Sequence, residues 1–126
     1  MTQTASTRLD PERVETPVGV VDLDRAAANA ASVVSYATRH GLRWRPHIKT
    51  HKSLEVARIQ LAAGATGLTV ATLREAEVMA GLTPDLLLAY PPVGEAKLER
   101  LVRLPEGVDL KVALDSREVL EPLAAA

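Results

Sequence analysis

Cysteine is absent from this 126-residue sequence. Its absence excludes disulfide scaffolds, thiolate metal sites and cysteine nucleophiles. Aromatic residues are also scarce, with no phenylalanine, one tryptophan and two tyrosines, so few side chains could stack on the bases of single-stranded nucleic acid. The formal net charge is only −1, which predicts no general attraction to nucleic acid or to an anionic membrane.

Long hydrophobic runs are missing as well. The polar residues 1–15 lack the apolar core of a signal peptide, and no later stretch reaches the length needed to span a bilayer. We therefore expect a cytoplasmic protein that contacts neither nucleic acid nor membrane. We divide the chain into this polar N-terminal segment and one domain over residues 16–126, because this length suffices for a single modest core.

Short apolar runs alternate with helical patterns along the chain. A β-branched run at residues 18–23 predicts a leading strand, and an alanine-rich stretch at 25–40, followed by Gly41, predicts a helix with a glycine C-cap. Four further strands are predicted to begin near residues 42, 67, 86 and 109, each followed by a helix. Such α/β units amount to the N-terminal half of a TIM-like (β/α)8 barrel, although an open doubly wound sheet has a similar pattern.

The last predicted helix begins at Asp115 or Ser116 and contains Pro122, which would disturb its second turn. Neither a C-cap nor a strand follows it, so the barrel is expected to be truncated. Half a barrel has two open sheet edges, and we expect it to be unstable or aggregation-prone unless another chain completes it.

Residues 45–52, with the sequence RPHIKTHK, carry the strongest chemical signal. Strand alternation predicts one wholly basic face, made of Arg43, Arg45, His47, Lys49 and His51. Inside a barrel such a face would be costly without paired carboxylates or an anionic ligand such as a phosphate. Lys49 falls at the carboxyl end of this predicted strand, where its crowded amine should have a lowered pKa and could form a Schiff base with an aldehyde.

Each of these residues also has a simpler interpretation. The basic strand could lie half exposed in water, and Pro46, which cannot donate to a ladder, favours an edge or a bend. His47 and His51 could bind a metal, but no carboxylate or thiol stands at matching spacing, so packing or cofactor contact is the better interpretation. Thr72, at the end of the next strand, could face the same site or simply form a capping box with Glu75.

The octapeptide at residues 45–52 resembles the lysine motif of the D-threonine aldolase and D-serine dehydratase family, whose barrel is related to the N-terminal domain of alanine racemase. Segments at 16–24, 60–65, 71–78 and 88–91 also resemble this family in the same order, so nearly the whole chain is covered. The resemblance implies a fold-type III pyridoxal-phosphate enzyme. It would combine a TIM-like barrel with a β-rich domain that includes the leading strand.

The resemblance also implies roles for individual residues. Lys49 falls on the Schiff-base lysine of the family, and we assign His47, His51 and Thr72 as further contacts to pyridoxal phosphate. A divalent metal assists the reaction in that family, but its ligands fall in portions that this sequence lacks, so we assign no metal ligand here.

The implied reaction is that of a lyase, the cleavage of β-hydroxy-D-amino acids to glycine and an aldehyde. The alternatives are a D-serine dehydratase or amino-acid racemase of the same fold, a noncatalytic pyridoxal-phosphate-binding protein, and a truncated relic without function. We expect a homodimer when the protein is full length, a small D-amino acid as substrate, and no independent turnover by these residues alone.

Overall fold

A parallel three-stranded sheet forms the centre of the computed structural model, which describes residues 10–126. Its strands are β1 (Leu68–Val70), β2 (Asp85–Leu88) and β3 (Asp109–Val112), in the spatial order β1-β2-β3. β1 pairs with β2 and β2 with β3, so each crossover to the next strand passes through a helix. Three of the four strands predicted after residue 41 are therefore present, within a residue of their expected starts.

Five α-helices accompany the sheet in the described part of the chain: α1 (Leu23–Arg39), α2 (Leu54–Ala62), α3 (Leu73–Met79), α4 (Glu95–Val102) and α5 (Arg117–Ala125). Side chains of Asp22, Ser53 and Thr72 accept hydrogen bonds from free amides at the starts of α1, α2 and α3. Gly41 follows α1 with a φ of 66°, the left-handed conformation of a C-cap, as predicted. None of these helices is long and apolar enough to cross a membrane.

The two faces of the sheet differ in what they contact. One face packs against helices in a core whose buried members are Ile48, Ala57, Leu68, Val70, Leu73, Ala76, Met79, Leu86 and Leu88. The opposite face carries Thr69, Leu87 and Lys111 side by side in the strand register, and we call it the open face. Lys111 is exposed and Leu87 is half-buried, as expected for the interior of a barrel that three strands only partly enclose.

The prediction of a leading strand at residues 18–23 is wrong. Residues 18–22 have no regular secondary structure, and Val20 is 66% exposed. No strand within residues 10–126 pairs with this segment, and β-branched residues form a stable strand only where a partner and a packed face are available. The run therefore leads directly into α1.

The strand predicted at residues 42–48 is reduced to a single parallel bridge between His47 and Thr69. Hydrogen bonds from the Thr66 amide to the Trp44 carbonyl and from the Thr69 amide to the Pro46 carbonyl keep the segment beside β1. Pro46 has no N–H to return, so a full ladder cannot form, and the chain turns into the 3-10 turn Ile48–Thr50. The segment keeps its place beside β1 but lacks the regular alternation of a strand.

The last helix begins at Arg117, after the N-cap residue Ser116, and runs to Ala125. Pro122 lies inside it, so the expected disturbance of its second turn does not end the helix. A proline in this position removes one hydrogen bond but leaves the rest of a short exposed helix in place.

Candidate functional site

Lys49 lies in the 3-10 turn Ile48–Thr50, rather than at the end of a regular strand. Ile48 is fully buried in the core and anchors the turn, whereas Lys49 is exposed. The bridge between His47 and Thr69 runs parallel, so Lys49 lies beyond it at the carboxyl edge of the sheet. Parallel α/β folds gather their chemistry at this edge.

His47 stabilises the turn from its first position. Its Nδ1 atom accepts a hydrogen bond from the Lys49 amide at 3.3 Å, so the ring acts as the cap of the turn. Burial and the nearby Lys49 charge lower the pKa of His47, which favours the neutral ring that can accept this bond.

His51 closes the same turn and has one unused polar atom. Its Nδ1 accepts a hydrogen bond from the Ser53 amide at 3.0 Å, which leaves Nε2 as the ring nitrogen that can donate. That Nε2 atom is buried and has no hydrogen-bond partner among the described residues. A buried donor without an acceptor is costly, and it is the kind of atom that a bound polar ligand satisfies.

The wholly basic face predicted from strand alternation is wrong. Arg45 hydrogen-bonds to both carboxylate oxygens of Asp85, and Lys111 donates to the same carboxylate at 2.8 Å. Arg43 is exposed. Within residues 10–126, Lys49 has no carboxylate within ion-pair distance, whereas Arg45 and Lys52 of the same motif are paired.

Asp85 supplies the carboxylate that the basic residues required. Burial alone would raise the pKa of Asp85, but hydrogen bonds from Lys111 and Arg45 hold that pKa below its ordinary value. Sequence reasoning missed Asp85 because it opens β2, forty residues from Arg45, and no local pattern connects the two.

Small side chains lie along the carboxyl edge of the open face. The Ala89 amide donates to the Val70 carbonyl and the Ala113 amide donates to the Leu88 carbonyl, so the ladder continues past β2 and β3. Alternation then places Ala71, Ala89 and Ala113 on the open face, one step beyond Thr69, Leu87 and Lys111. The side chains that border the open face at this edge are therefore methyl groups.

Thr72 is linked to the Lys49 turn through Glu75. Its hydroxyl caps α3 by accepting from the Glu75 amide at 3.2 Å. Thr72 also lines a cavity of about 310 Å³ together with Leu88, Tyr90, Arg74, Lys97 and Arg100, but none of the residues of the Lys49 turn lines it. Leu88 belongs to the helix-packed face, but Ala71 of the open face also lines this cavity, so it lies at the carboxyl edge of the sheet.

The capping box predicted for Thr72 and Glu75 is present in a modified form. Thr72 accepts from the Glu75 amide as expected, and the Glu75 carboxylate accepts most closely from the Ala71 amide, with a weaker contribution from the Thr72 amide that also lowers its pKa. The second oxygen of Glu75 lies 3.2 Å from the ammonium of Lys52. In the described part of the chain, no group of three or more histidine and carboxylate side chains is arranged to hold a metal ion.

Residues 21–126 match the sequence profile of the alanine racemase N-terminal domain. The chain belongs to that family. The sequence resemblance to this family is thus confirmed, as are the α/β class and the interpretation of the chain as the N-terminal part of a barrel.

Individual members of the family show how closely the chain resembles characterised enzymes. It is 42% identical over 113 residues to D-threo-3-hydroxyaspartate dehydratase of Delftia sp. (strain HT23). This match covers 89% of this chain and 30% of that protein. The chain is 37% identical over 116 residues to D-threonine aldolase of Arthrobacter sp., and this match covers 90% of this chain and 30% of that protein. The crystal structure of D-threonine aldolase from Filomicrobium marinum superposes with a TM-score of 0.82 at 35% identity, over 89% of this chain and 30% of that one.

These matches concern one part of each relative, since the chain spans about 30% of their length. The matched part contains Lys49 and the sheet edge on which it lies. The two curated relatives are a dehydratase and an aldolase, and both are named for the β-hydroxy-D-amino acid on which they act.

Proposed function

We propose that this chain carries Lys49 as the cofactor lysine of a pyridoxal-phosphate-dependent lyase that cleaves β-hydroxy-D-amino acids to glycine and an aldehyde. The observation that carries the proposal is the state of Lys49. It is exposed at the carboxyl edge of a parallel sheet and has no carboxylate partner within residues 10–126, whereas Arg45 and Lys52 of the same motif are both paired. The neutral amine is the form that reacts with an aldehyde, and an ion pair with a carboxylate would disfavour it.

The residues around Lys49 fit such a cofactor. The buried Nε2–H of His51 has no acceptor of its own and could donate to a polar group of the ligand. His47 holds the turn through the Lys49 amide, and the alanines at the edge of the open face present methyl groups to a planar ring. Pyridoxal phosphate, when bound, supplies the aldehyde for the lysine and a ring that withdraws electrons from the bonds at the substrate Cα.

Thr72 is proposed as a further cofactor contact, although its hydroxyl already caps α3. A hydroxyl can accept one hydrogen bond from the helix and still donate another, so the two roles are compatible. The divalent metal, the homodimer and the cytoplasmic location remain proposals for the complete enzyme, and we expect residues 1–126 alone to show no turnover.

The rival function is a dehydratase of the same fold, and the 42% identity to the Delftia enzyme favours it over a racemase. The two reactions differ in the bond that breaks at the substrate. An aldolase cleaves Cα–Cβ, whereas a dehydratase removes the Cα proton and the β-hydroxyl group. A noncatalytic pyridoxal-phosphate-binding protein would bind the cofactor and perform neither reaction.

A hybrid enzyme tests the proposed function. This chain would replace the matching part of the Arthrobacter D-threonine aldolase, and the product would be assayed with D-threonine and with D-serine. We expect glycine and acetaldehyde from D-threonine, lost by about 10³-fold or more in Lys49→Ala because the covalent link to the cofactor is removed. The control Arg58→Ala, at an exposed cation on α2 that pairs with Glu55, should retain activity.

Ammonia and pyruvate from D-serine as the main products would support the dehydratase instead. A folded hybrid that binds the cofactor without turnover of either substrate would support the noncatalytic alternative. Equal activity in the hybrid and in its Lys49→Ala variant would rule out a role for Lys49.

A further inference from the structure

Glu75 is a buried carboxylate in the first turn of α3, with only 8% of the residue exposed. Buried carboxylates are costly unless they are paired and hydrogen-bonded. Its Oε2 atom accepts a hydrogen bond of 2.7 Å from the Ala71 amide, just after β1, and its Oε1 atom lies 3.2 Å from the ammonium of Lys52. Although burial alone would raise it, these contacts hold the pKa of Glu75 below its ordinary value, so the carboxylate is ionised at neutral pH.

Lys52 belongs to the same turn as Lys49. Its amide donates to the Ile48 carbonyl at 2.8 Å, which closes the loop around Lys49. Its φ of 50° is left-handed, a conformation that residues other than glycine adopt only where their surroundings hold them there. The Lys52 side chain is 63% exposed, so burial does not hold it. Its ion pair with Glu75, at 3.2 Å but without hydrogen-bond geometry, adds to the backbone bond with Ile48.

Residues on both sides of Lys49 are therefore held by contacts with the rest of the chain. On one side Ile48 is fully buried in the core, and on the other Lys52 is tied to a buried carboxylate that is itself bonded to the chain after β1. The charge of Glu75 also reaches the start of the turn. Burial and Lys49 lower the pKa of His47, and the Glu75 carboxylate acts against them.

We propose that Glu75 is a positioning residue for Lys49, which acts through Lys52 to hold the turn of residues 48–52 against the end of β1. This inference rests on the proposed function of Lys49 and adds the residue that keeps its amine in place. Glu75 does not need to touch the cofactor in this role. A reactive amine held in one place reacts faster than one carried on a mobile loop, because less freedom is lost when the bond forms.

Two measurements on the whole 126-residue chain test the proposal. The first is amide hydrogen exchange at residues 49–53, measured without cofactor. The second is the rate at which pyridoxal phosphate becomes attached to Lys49, trapped by borohydride and located by peptide mapping. The variants are Glu75→Gln, which keeps an oxygen for the Ala71 amide but loses the charge, and Lys52→Met, which keeps the stem but loses the ammonium.

Matched controls separate this role from a general effect on stability. Glu77→Gln removes a carboxylate two residues further along α3, where Glu77 bonds to Arg100 of α4 and not to the Lys49 turn. Lys52→Arg keeps the positive charge and should restore the tether. We expect Glu75→Gln and Lys52→Met each to raise exchange at residues 49–53 by about tenfold, the effect of losing a charged contact, and to slow attachment at Lys49 by a similar factor.

The controls should remain within about twofold of the wild-type chain on both measurements, as expected for surface changes away from the turn. Exchange that rises equally throughout β1, β2 and β3 would show a merely structural role for Glu75 and would overturn the inference. Attachment and exchange that stay at wild-type values in both test variants would overturn it as well. A wild-type chain that takes no cofactor on Lys49 would instead overturn the proposed function, so the two failures are distinguishable.

Discussion

Arg45 donates hydrogen bonds to both carboxylate oxygens of Asp85, one of them 2.6 Å long, and so joins the segment before Lys49 to the start of β2. Lys111 of β3 contacts the same carboxylate at 2.8 Å. The arrangement lies near the amino ends of the strands, away from the edge that carries Lys49. Arg45 is thereby neutralised at one end of the sheet, while Lys49 is left unpaired at the other.

Replacing the Asp85 carboxylate by an amide is expected to destabilise the chain. Asp85→Asn leaves Arg45 and Lys111 without their common anion, and we expect a loss of about 1–3 kcal/mol in the free energy of unfolding at neutral pH. Urea unfolding of the two chains side by side measures this difference. The exposed Asp109, which also contacts Lys111, provides the control, because Asp109→Asn should cost no more than about 0.5 kcal/mol.

The stability difference between wild type and Asp85→Asn is expected to depend on pH. Because the pKa of Asp85 is lowered in the folded chain, its contribution is complete above the pKa of the unfolded carboxyl, about 3.9, and is lost as the pH falls through the folded value. The difference between wild type and Asp85→Asn should therefore be constant from pH 7 to about 5 and shrink below pH 4. A difference that widens on acidification would contradict the arrangement.

Gly67 is expected to tolerate no side chain. A Cβ at this position would strike the Asp85 carbonyl oxygen and come within 2.7 Å of its Cγ, so Gly67→Ala must push β1 away from β2. We expect a loss of about 1–3 kcal/mol, and more where the backbone cannot shift. Gly81→Ala is the matched control, since a Cβ there meets nothing closer than 3.8 Å. Thermal unfolding of both variants measures the contrast, and equal midpoints would show that the register of Gly67 beside Asp85 is wrong.

His47 is expected to cap the Lys49 turn only while its ring is neutral. Its pKa is lowered in the folded chain, so its contribution is complete above the unfolded pKa of about 6.5 and is lost as the pH falls through the lower folded value. Hydrogen exchange of the Lys49 amide should therefore speed up on acidification by more than its intrinsic pH dependence predicts.

Two variants of His47 separate the cap from the imidazole itself. Asparagine can accept the same amide bond without titrating in this range, so His47→Asn should keep the turn protected and abolish the excess pH dependence. His47→Ala should leave the Lys49 amide unprotected at every pH. Protection that survives in His47→Ala would mean that the ring nitrogen does not cap the turn.

Thr72 is expected to contribute as a helix cap whether or not it also contacts the cofactor. Thr72→Ala removes the acceptor of the Glu75 amide and should cost about 1 kcal/mol of unfolding free energy, whereas Thr72→Ser keeps the hydroxyl and should cost little. A proposed cofactor contact adds a second effect, a weaker affinity for pyridoxal phosphate in Thr72→Ala at a temperature where both variants are folded. Unchanged affinity would leave Thr72 as a cap alone.

The sequence predicted the parts of the fold that local signals determine. Gly41 and Thr72 mark helix ends through a left-handed φ angle and a hydroxyl cap, which depend only on neighbouring residues. The strands at Leu68–Val70 and Asp85–Leu88 follow from apolar runs between these helices. The prediction of a leading strand fails because no strand within residues 10–126 pairs with that segment, and β propensity alone does not supply a partner.

The candidate site was predictable in its central lysine but not in its surroundings. The motif at residues 45–52 points to Lys49, but Pro46 breaks the alternation on which the basic face depended, so Lys49 turned out to lie in a 3-10 turn. Asp85 contacts Arg45, 40 positions away in the chain, and Oε1 of Glu75 contacts Lys52, 23 positions away. Such partners follow from how strands lie beside one another, and no spacing rule in the sequence reveals them.

The central claim is that Lys49, and not another lysine, receives the cofactor. The most direct test is to treat the 126-residue chain with about one equivalent of pyridoxal phosphate, reduce it with borohydride and map the modified peptide. The account predicts a single adduct on Lys49, which disappears in Lys49→Arg and persists in Lys97→Arg. An adduct spread evenly over Lys52, Lys97 and Lys111, or one that survives in Lys49→Arg, would contradict it.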